Sequence, residues 1–303
     1  VTAQPDREAR ANGRSEDGWT VLRLILWSAD YLKQKGVPNA RLDAEHLLAH
    51  AAGRQRLQLY LEYDRPLTTA ELDGFRPLLK RRAGREPLQY IVGRQPFREL
   101  DLEVSPAVLI PRPETEVLVG EVLDWVRRRG RGDLTALDVG TGSGAIALSL
   151  AFEGTFASVL ATDVAEDALD VARRNRDAAG LADRVELRLG PLFEPVRAGE
   201  GFDVVVSNPP YVADGAVEEL EPEVALWEPK TALLAGSDGL DALRAVARGA
   251  GRVLRKGGLL AVEVGEGQAG SVVGMLADDG RYHDMSVQRD YAGVERVVLA
   301  RRT

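Results

Sequence analysis

The chain has 303 residues, 45% of them hydrophobic, enough to bury a full core in one large or two unequal domains. It contains no cysteine, which excludes disulfides, thiolate zinc sites and cysteine nucleophiles together and fits a cytoplasmic home. A formal net charge of −8 argues against affinity founded on neutralising nucleic-acid phosphates, and the apolar runs are broken by charges well short of a membrane span.

Residues 1–18, VTAQPDREARANGRSEDG, lack the apolar centre of a signal peptide and read as a disordered tail. From Trp19 the apolar spacing is helical: Val21, Leu22, Ile25, Ala29 and Leu32 form one stripe, and Leu42, Ala44, Leu47, Leu48 and Ala51 another. Such stripes bury each other, so residues 19–84 are expected to form a small helical bundle. Asn39 after Pro38 is placed to cap the second helix and Gly53 to end it. Thr68 and Glu71 have capping-box spacing, and Pro77 is expected to shorten or kink the helix they open. Two basic runs, KRRAGR (80–85) and RRRGRG (127–132), fall at helix ends, where cations complement the dipole, and read as solvated termini. His46 and His50 lie four apart beside Glu45 without an evident third ligand, so no metal is expected.

At Arg85 the texture changes. REPLQYIVGRQPFRELDLEV brings aromatic and β-branched residues, two prolines and a glycine, as a hairpin linker over 85–110 would. Beyond it short apolar runs alternate with helical segments. LTALDVG, SVLATDV, FDVVVSNPP and GGLLAVEVG read as strands of a parallel sheet covered on both faces. HDMSVQRD and RVVLARR lie too close together for a helical crossover, so one of them should run antiparallel to the rest.

In LDVGTGSGAIAL a strand runs into Gly140, Gly142 and Gly144 and then into a helix. Glycines there let the backbone turn sharply and approach a ligand at the carboxyl end of a strand. The spacing also loosely satisfies a dinucleotide fingerprint with Ala145 as its last small residue. The next strand ends on Asp163, placed to accept hydrogen bonds from ribose hydroxyls, which points to an adenosine-type ligand. Asp138, ahead of the glycines, suits either a turn cap or the cationic amino-acid end of S-adenosylmethionine. With Pro209 and Pro210 it favours that cofactor over a nicotinamide.

The stretch VVVSNPPYVADG places Asn208 at the same carboxyl edge. Two prolines stiffen the loop and remove amide donors, so carbonyls and the Asn208 side chain dominate as acceptors, while Tyr211 offers a flat face. That is a receptor for a planar NH2 group. An amide nitrogen has a delocalised lone pair and attacks a sulfonium methyl poorly. Accepting both its hydrogens keeps electron density on nitrogen and aims the lone pair for in-line transfer. A plain turn after a buried strand does not demand the tyrosine. Ser143 and Ser207 have no histidine at triad spacing.

NPPY following DVGTGSG resembles the amino-methyltransferases of adenine N6, cytosine N4 or glutamine N5. REPLQYIVG (85–93), VLIPRPETE (108–116), EPKTALLAG (228–236) and DYAGVERVVLARR (290–302) narrow the resemblance to the HemK/PrmC family of release-factor glutamine methyltransferases, over roughly residues 20–302. The resemblance implies an α/β fold: a Rossmann-like seven-stranded class I methyltransferase domain over 111–303, its last strands antiparallel, joined by the β-hairpin to the helical domain, which would dock the substrate. It implies methyl transfer from S-adenosylmethionine, leaving S-adenosylhomocysteine, to the glutamine N5 in the Gly-Gly-Gln loop of class I peptide-chain release factors. No nucleic acid or membrane is required, and a monomer is expected.

By the same resemblance Asn208 and the Pro209 carbonyl hold the glutamine amide and Tyr211 packs on it beside Pro210, with Arg112, Pro113 and Glu116 as secondary substrate candidates. Asp138, Gly140, Thr141, Gly142, Asp163, Leu192 and Asn208 border the cofactor. The sequence departs from the family's pattern at LGPLFEP, where Pro191 stands in place of a common acidic residue, so adenine recognition falls to backbone, Leu192 or water. A ribosomal-protein glutamine is the neighbouring alternative, disfavoured by the GVERVVLARR ending. Adenine-N6 methylation of nucleic acid would call for an added recognition domain and a basic face. The intact Asn208, Pro209, Pro210 and Tyr211 speak against an inactive binding module.

Overall fold

The computed structural model describes residues 18–130 and 132–303, which divide into two compact units that part between Val92 and Gly93. Apart from Gly18, the tail expected over 1–18 lies outside the described residues.

The first unit is helical: α1 (Val21–Gln34), α2 (Ala40–Ala51), α3 (Arg56–Leu61), α4 (Thr69–Ala83) and α5 (Leu88–Val92). Ile25, Leu32, Leu47, Leu48, Leu59 and Phe75 meet in its core, while Leu42, expected on an inner stripe, is exposed. Both arms of the Thr68–Glu71 capping box form, and Arg65 grips the Glu71 carboxylate through two nitrogens at 2.9 and 3.1 Å. That grip holds the Glu71 carboxyl down at about 2. Asn39 stands at the N-cap of α2 without a side-chain bond to it. Pro77 does not shorten α4, which runs through it for 15 residues. The proline lies on the exposed face, so the carbonyl that loses its helical donor is on the solvent side.

The KRRAGR run is not a solvated terminus. Arg82 is buried and donates to Asp43 at 2.7 Å, tying α4 to α2, and to the Glu86 carbonyl at 3.1 Å. Arg81 grips the Glu86 carboxylate at 2.6 and 2.8 Å. The stretch 85–110, read as a hairpin linker, first turns through α5. Only then does it form the antiparallel pair β1 (Arg94–Phe97) and β2 (Leu100–Glu103), which opens the second unit.

In the second unit follow α6 (Pro113–Arg129), β3 (Leu134–Val139), α7 (Ala145–Glu153), β4 (Phe156–Asp163), α8 (Glu166–Ala178), β5 (Val185–Leu189) and β6 (Phe202–Ser207). Then come α9 (Pro222–Trp227), α10 (Asp241–Val253), β7 (Leu254–Glu263), α11 (Ala269–Asp279), β8 (Tyr282–Arg289) and β9 (Glu295–Arg302). Seven strands form one sheet in the order β5-β4-β3-β6-β7-β9-β8, with β9 antiparallel to both its neighbours. Alternate residues serve opposite faces: Ala136, Val204 and Val206 pack with Leu118, Val122 and Leu148, whereas Leu137, Val139 and Val205 pack with Leu243, Val246 and Val272. β5 has no apolar run in sequence because it is an edge strand with only Val185 fully buried. The sheet order reverses between β3 and β6, the place where open α/β sheets receive ligands. No helix among the described residues is long and apolar enough to cross a membrane.

The buried Arg82–Asp43 pair generates a stability prediction. Removing one partner of a buried ion pair costs about 3–5 kcal/mol. Asp43→Ala should lower the denaturation midpoint read from Trp19 and Trp27 fluorescence by that equivalent, and a change below about 1 kcal/mol would show the pair to be dispensable.

Candidate active site

The carboxyl ends of β3, β4 and β6 surround a cavity of about 290 Å³, near the lower limit for small-molecule sites. Its inner wall is the turn after β3. Gly140, Gly142 and Gly144 sit at φ values of 76°, 55° and 86°, a region that side-chain-bearing residues rarely adopt. A Cβ at Gly140 or Gly142 would meet nothing within 4 Å, so the backbone there is open to close approach. The turn is pinned from both sides. Gly140 and Thr141 donate their N–H groups to the Thr162 carbonyl at 2.9 and 3.0 Å, and Gly142 donates to Asp163 Oδ2 at 2.8 Å.

Asp163 lines the cavity, and its Oδ1 accepts the Ala165 N–H at 3.0 Å. A carboxylate offers about four lone-pair sites, so two backbone donors leave capacity for ligand hydroxyls. Thr141, Pro191 and Leu192 also line the cavity. Leu192 takes a left-handed φ of 49°, and its carbonyl accepts the Thr162 hydroxyl at 3.0 Å.

Asp138 does not line the cavity. It is fully buried beneath the turn, where Oδ2 accepts the Thr141 hydroxyl at 2.7 Å and the Ala147 N–H at 3.1 Å. Burial pushes its carboxyl up to about 7, with those two hydrogen bonds pulling the other way. Of the two roles legible for Asp138, the geometry supports the turn lock over a direct hold on a ligand's ammonium.

Across the cavity Asn208, Pro209 and Pro210 form the rim after β6, held there by the Ser207 hydroxyl donating to the Val139 carbonyl at 2.7 Å. Asn208 Nδ2 donates to Thr115 Oγ1 at 3.0 Å, and Thr115 Oγ1 donates to Glu263 Oε2 at 2.6 Å. Both partners are almost wholly buried. Tyr211 is not on the cavity wall: it packs against the core cluster of α10 and β7, and burial foremost pushes its phenol up to about 12. Its carbonyl accepts Gln268 Nε2 at 2.9 Å, so Tyr211 anchors the loop from behind.

Arg112 lines the cavity and pairs with buried Glu228 at 2.5 Å. Pro113 is an exposed first residue of α6. Glu116 faces away: its Oε1 accepts the Arg98 N–H at 3.0 Å and fastens the turn of the β1–β2 hairpin. The reason is helical phase. Thr115 shares the buried stripe of Leu118, Val119 and Val122, and Glu116 does not. Thr115 and Glu263 were missed as site residues although both lie inside quoted stretches. The same stripe count would have selected Thr115.

Two family models match the chain, the PrmC N-terminal domain over residues 23–93 and the methyltransferase small domain over 121–225. Curated relatives called release factor glutamine methyltransferase align along nearly the whole chain. The protein of Geobacter sulfurreducens is 45% identical, covering 93% of this chain and 97% of its own. That of Rhodopirellula baltica is 38% identical, covering 95% and 98%, and that of Streptomyces coelicolor 40%, covering 93% and 98%. Among solved structures, the catalytic domain of hMettl16 superimposes with a TM-score of 0.54 at 17% identity, over 74% of this chain and 81% of that one. The T. thermophilus 16S rRNA methyltransferase RsmC does so with a TM-score of 0.51 at 18% identity, over 69% and 50%. These two speak for a class I methyltransferase fold.

The Asp138 lock yields a prediction with a definite sign. Its folded pKa of about 7 lies above the unfolded value of 3.8, so its stability contribution is fully present below the unfolded pKa and lost as pH rises through 7. Asp138→Asn mimics the neutral acid at every pH. Relative to wild type it should therefore gain thermal stability between pH 4 and pH 8, and a constant difference across that range would contradict the assignment.

Proposed function

The chain belongs to the release factor glutamine methyltransferase family, and from that premise we propose that it transfers the methyl group of S-adenosylmethionine to the N5 amide nitrogen of a glutamine. The acceptor glutamine is that of the Gly-Gly-Gln motif in class I peptide-chain release factors. The observation that carries this reading is the convergence of two unlike walls on one cavity. One is an open glycine turn with a ribose-type carboxylate, Asp163, and the other is a proline-stiffened rim presenting an amide, Asn208.

The residues present fit the cofactor. The turn admits close backbone approach, Asp163 retains acceptor capacity, and the cavity lining is chiefly apolar, as an adenosyl group requires. Pro191 brings no side-chain acceptor to the adenine, so the Leu192 segment supplies shape there and backbone supplies polarity. When bound, the sulfonium supplies an electrophilic methyl group.

The protein's own contribution is orientation. Asn208 Oδ1 and the Pro209 carbonyl accept the two hydrogens of the substrate amide, hold its plane, and stabilise the positive charge that grows on nitrogen. The Pro209 carbonyl costs no reorganisation because the prolines stiffen the loop and Tyr211 anchors it against the core. No strong base is needed, since the nitrogen-bound proton becomes acidic once the methyl is attached. Arg112, held by Glu228, stands at the rim to meet backbone of the incoming loop. The helical unit is proposed to dock the macromolecule, because one glutamine side chain offers little surface for specificity.

Two outcomes test the reading. Incubation with labelled S-adenosylmethionine and a release factor, followed by peptide mass mapping, should label the loop glutamine, and a release factor with that glutamine changed to alanine should stay unlabelled. Labelling elsewhere, or none, contradicts the assignment. Asn208→Ala should lower turnover by about 10²–10³, as loss of one preorganised contact does, with a far smaller loss of cofactor affinity. Equal losses in calorimetry and turnover would make Asn208 a cofactor residue first.

A further inference from the structure

We infer that Thr115 and Glu263 form a directional relay that decides which end of the Asn208 amide faces the cavity, and so act as positioning residues for methyl transfer. The inference rests on the reading that Asn208 holds the substrate amide, and it adds what makes that amide point the right way.

The two ends of an asparagine amide are nearly the same size and opposite in function. Oδ1 accepts from a substrate NH2, whereas Nδ2 would confront it donor to donor. Something must choose between them. A threonine hydroxyl has one hydrogen to give and lone pairs to receive with, while an ionised carboxylate only accepts. At 2.6 Å the Thr115 hydroxyl hydrogen belongs to Glu263, so toward Asn208 the same oxygen can only accept. Asn208 must then present Nδ2, which it does at 3.0 Å, and Oδ1 is left for the cavity that Asn208 lines.

The arrangement is built in. Thr115 sits in the first turn of α6 and Glu263 ends β7, two elements far apart in sequence whose packing in the core brings these two side chains together behind Asn208. Thr115, at the cavity wall, is 3% exposed and Glu263 behind it 1%, so low local dielectric makes the wrong orientation costly.

The relay depends on the charge of Glu263. Were Glu263 protonated, its own hydroxyl could donate to Thr115, whose hydrogen would then turn to Asn208 and call for Oδ1. Burial pushes the Glu263 carboxyl up to about 7 and Glu114 adds to the rise, while the Thr115 hydrogen bond foremost, then Arg296 and the nearby Asn208 amide, oppose it. Around it stand Glu114 from α6, Arg296 from β9, itself paired with Asp290, and the Tyr211 phenol. The ionised, correctly directed form is lost as pH falls through that value.

Steady-state kinetics of the full-length protein with an intact release factor test the inference. Thr115→Val should lower kcat about 10-fold to 100-fold, the scale of a lost alignment, while KM for the release factor and the affinity for S-adenosylmethionine stay within about threefold of wild type. Thr115→Ser keeps the hydroxyl and should restore kcat. Glu263→Gln retains a carbonyl acceptor for Thr115 at every pH, so the wild-type fall in kcat below about pH 7 should flatten. A folded Thr115→Val with wild-type kcat overturns the relay, as does Thr115→Ser as damaged as the valine variant. An unchanged pH step in Glu263→Gln overturns it too, and that measurement stands even where the valine variant does not fold. Wild-type protein that labels no glutamine in the same assay overturns both the relay and the reading beneath it, whereas wild-type labelling with indifferent variants overturns the relay alone.

Discussion

Parallel pairing of β3 with β6, Ala136 opposite Val204 through Asp138 opposite Val206, is the constraint on which the site depends. It ends two strands at the same level. One continues into the glycine turn and the other into Asn208 and the prolines, so the two segments line one cavity a strand spacing apart. The Ser207 hydroxyl on the Val139 carbonyl extends the pairing beyond the regular ladder. Shifting that register by one residue would turn Asp138 out of its buried place and bring an apolar neighbour beneath the turn.

Around this pair two buried carboxylates serve as fixed acceptors. Asp138 locks the glycine turn after β3, and Glu263 lies behind the Asn208 amide. Both are pushed to about 7 by burial first, and both receive a threonine hydroxyl. Their cost in stability is tolerated because each directs a hydrogen-bond chain in a place where water cannot scramble it. Surface pairs such as Arg173–Asp170 and Arg76–Asp73 contribute little by comparison, both partners being largely exposed.

Much of this was legible in the residues. Alternating apolar runs and helical stripes gave the layers, the close spacing of the last two strands required an antiparallel partner, and the glycines with Asp163 and Asn208 marked one edge of the sheet. What escaped has physical causes. β5 is a half-exposed edge strand without an apolar run, and Pro77 leaves α4 unbroken because its face meets solvent. Arg82 in a basic run finds a carboxylate 39 positions away, a distance that no local pattern reveals. In PRPETE the resemblance points to Arg112, Pro113 and Glu116, although the helix turns the uncharged Thr115 inward and Glu116 toward the hairpin. Tyr211 reads as a flat face beside a ligand, but its half-buried ring packs against the α10 and β7 core behind the loop.

The central claim is that Asn208 receives a planar primary amide through its oxygen. The most direct test is a crystal structure of the protein with S-adenosylhomocysteine and a release-factor loop peptide carrying the glutamine. The account predicts the glutamine nitrogen within hydrogen-bonding distance of both Asn208 Oδ1 and the Pro209 carbonyl, with Asn208 Nδ2 still on Thr115. A glutamine seated elsewhere, or an Asn208 that turns Nδ2 toward it, would contradict the account.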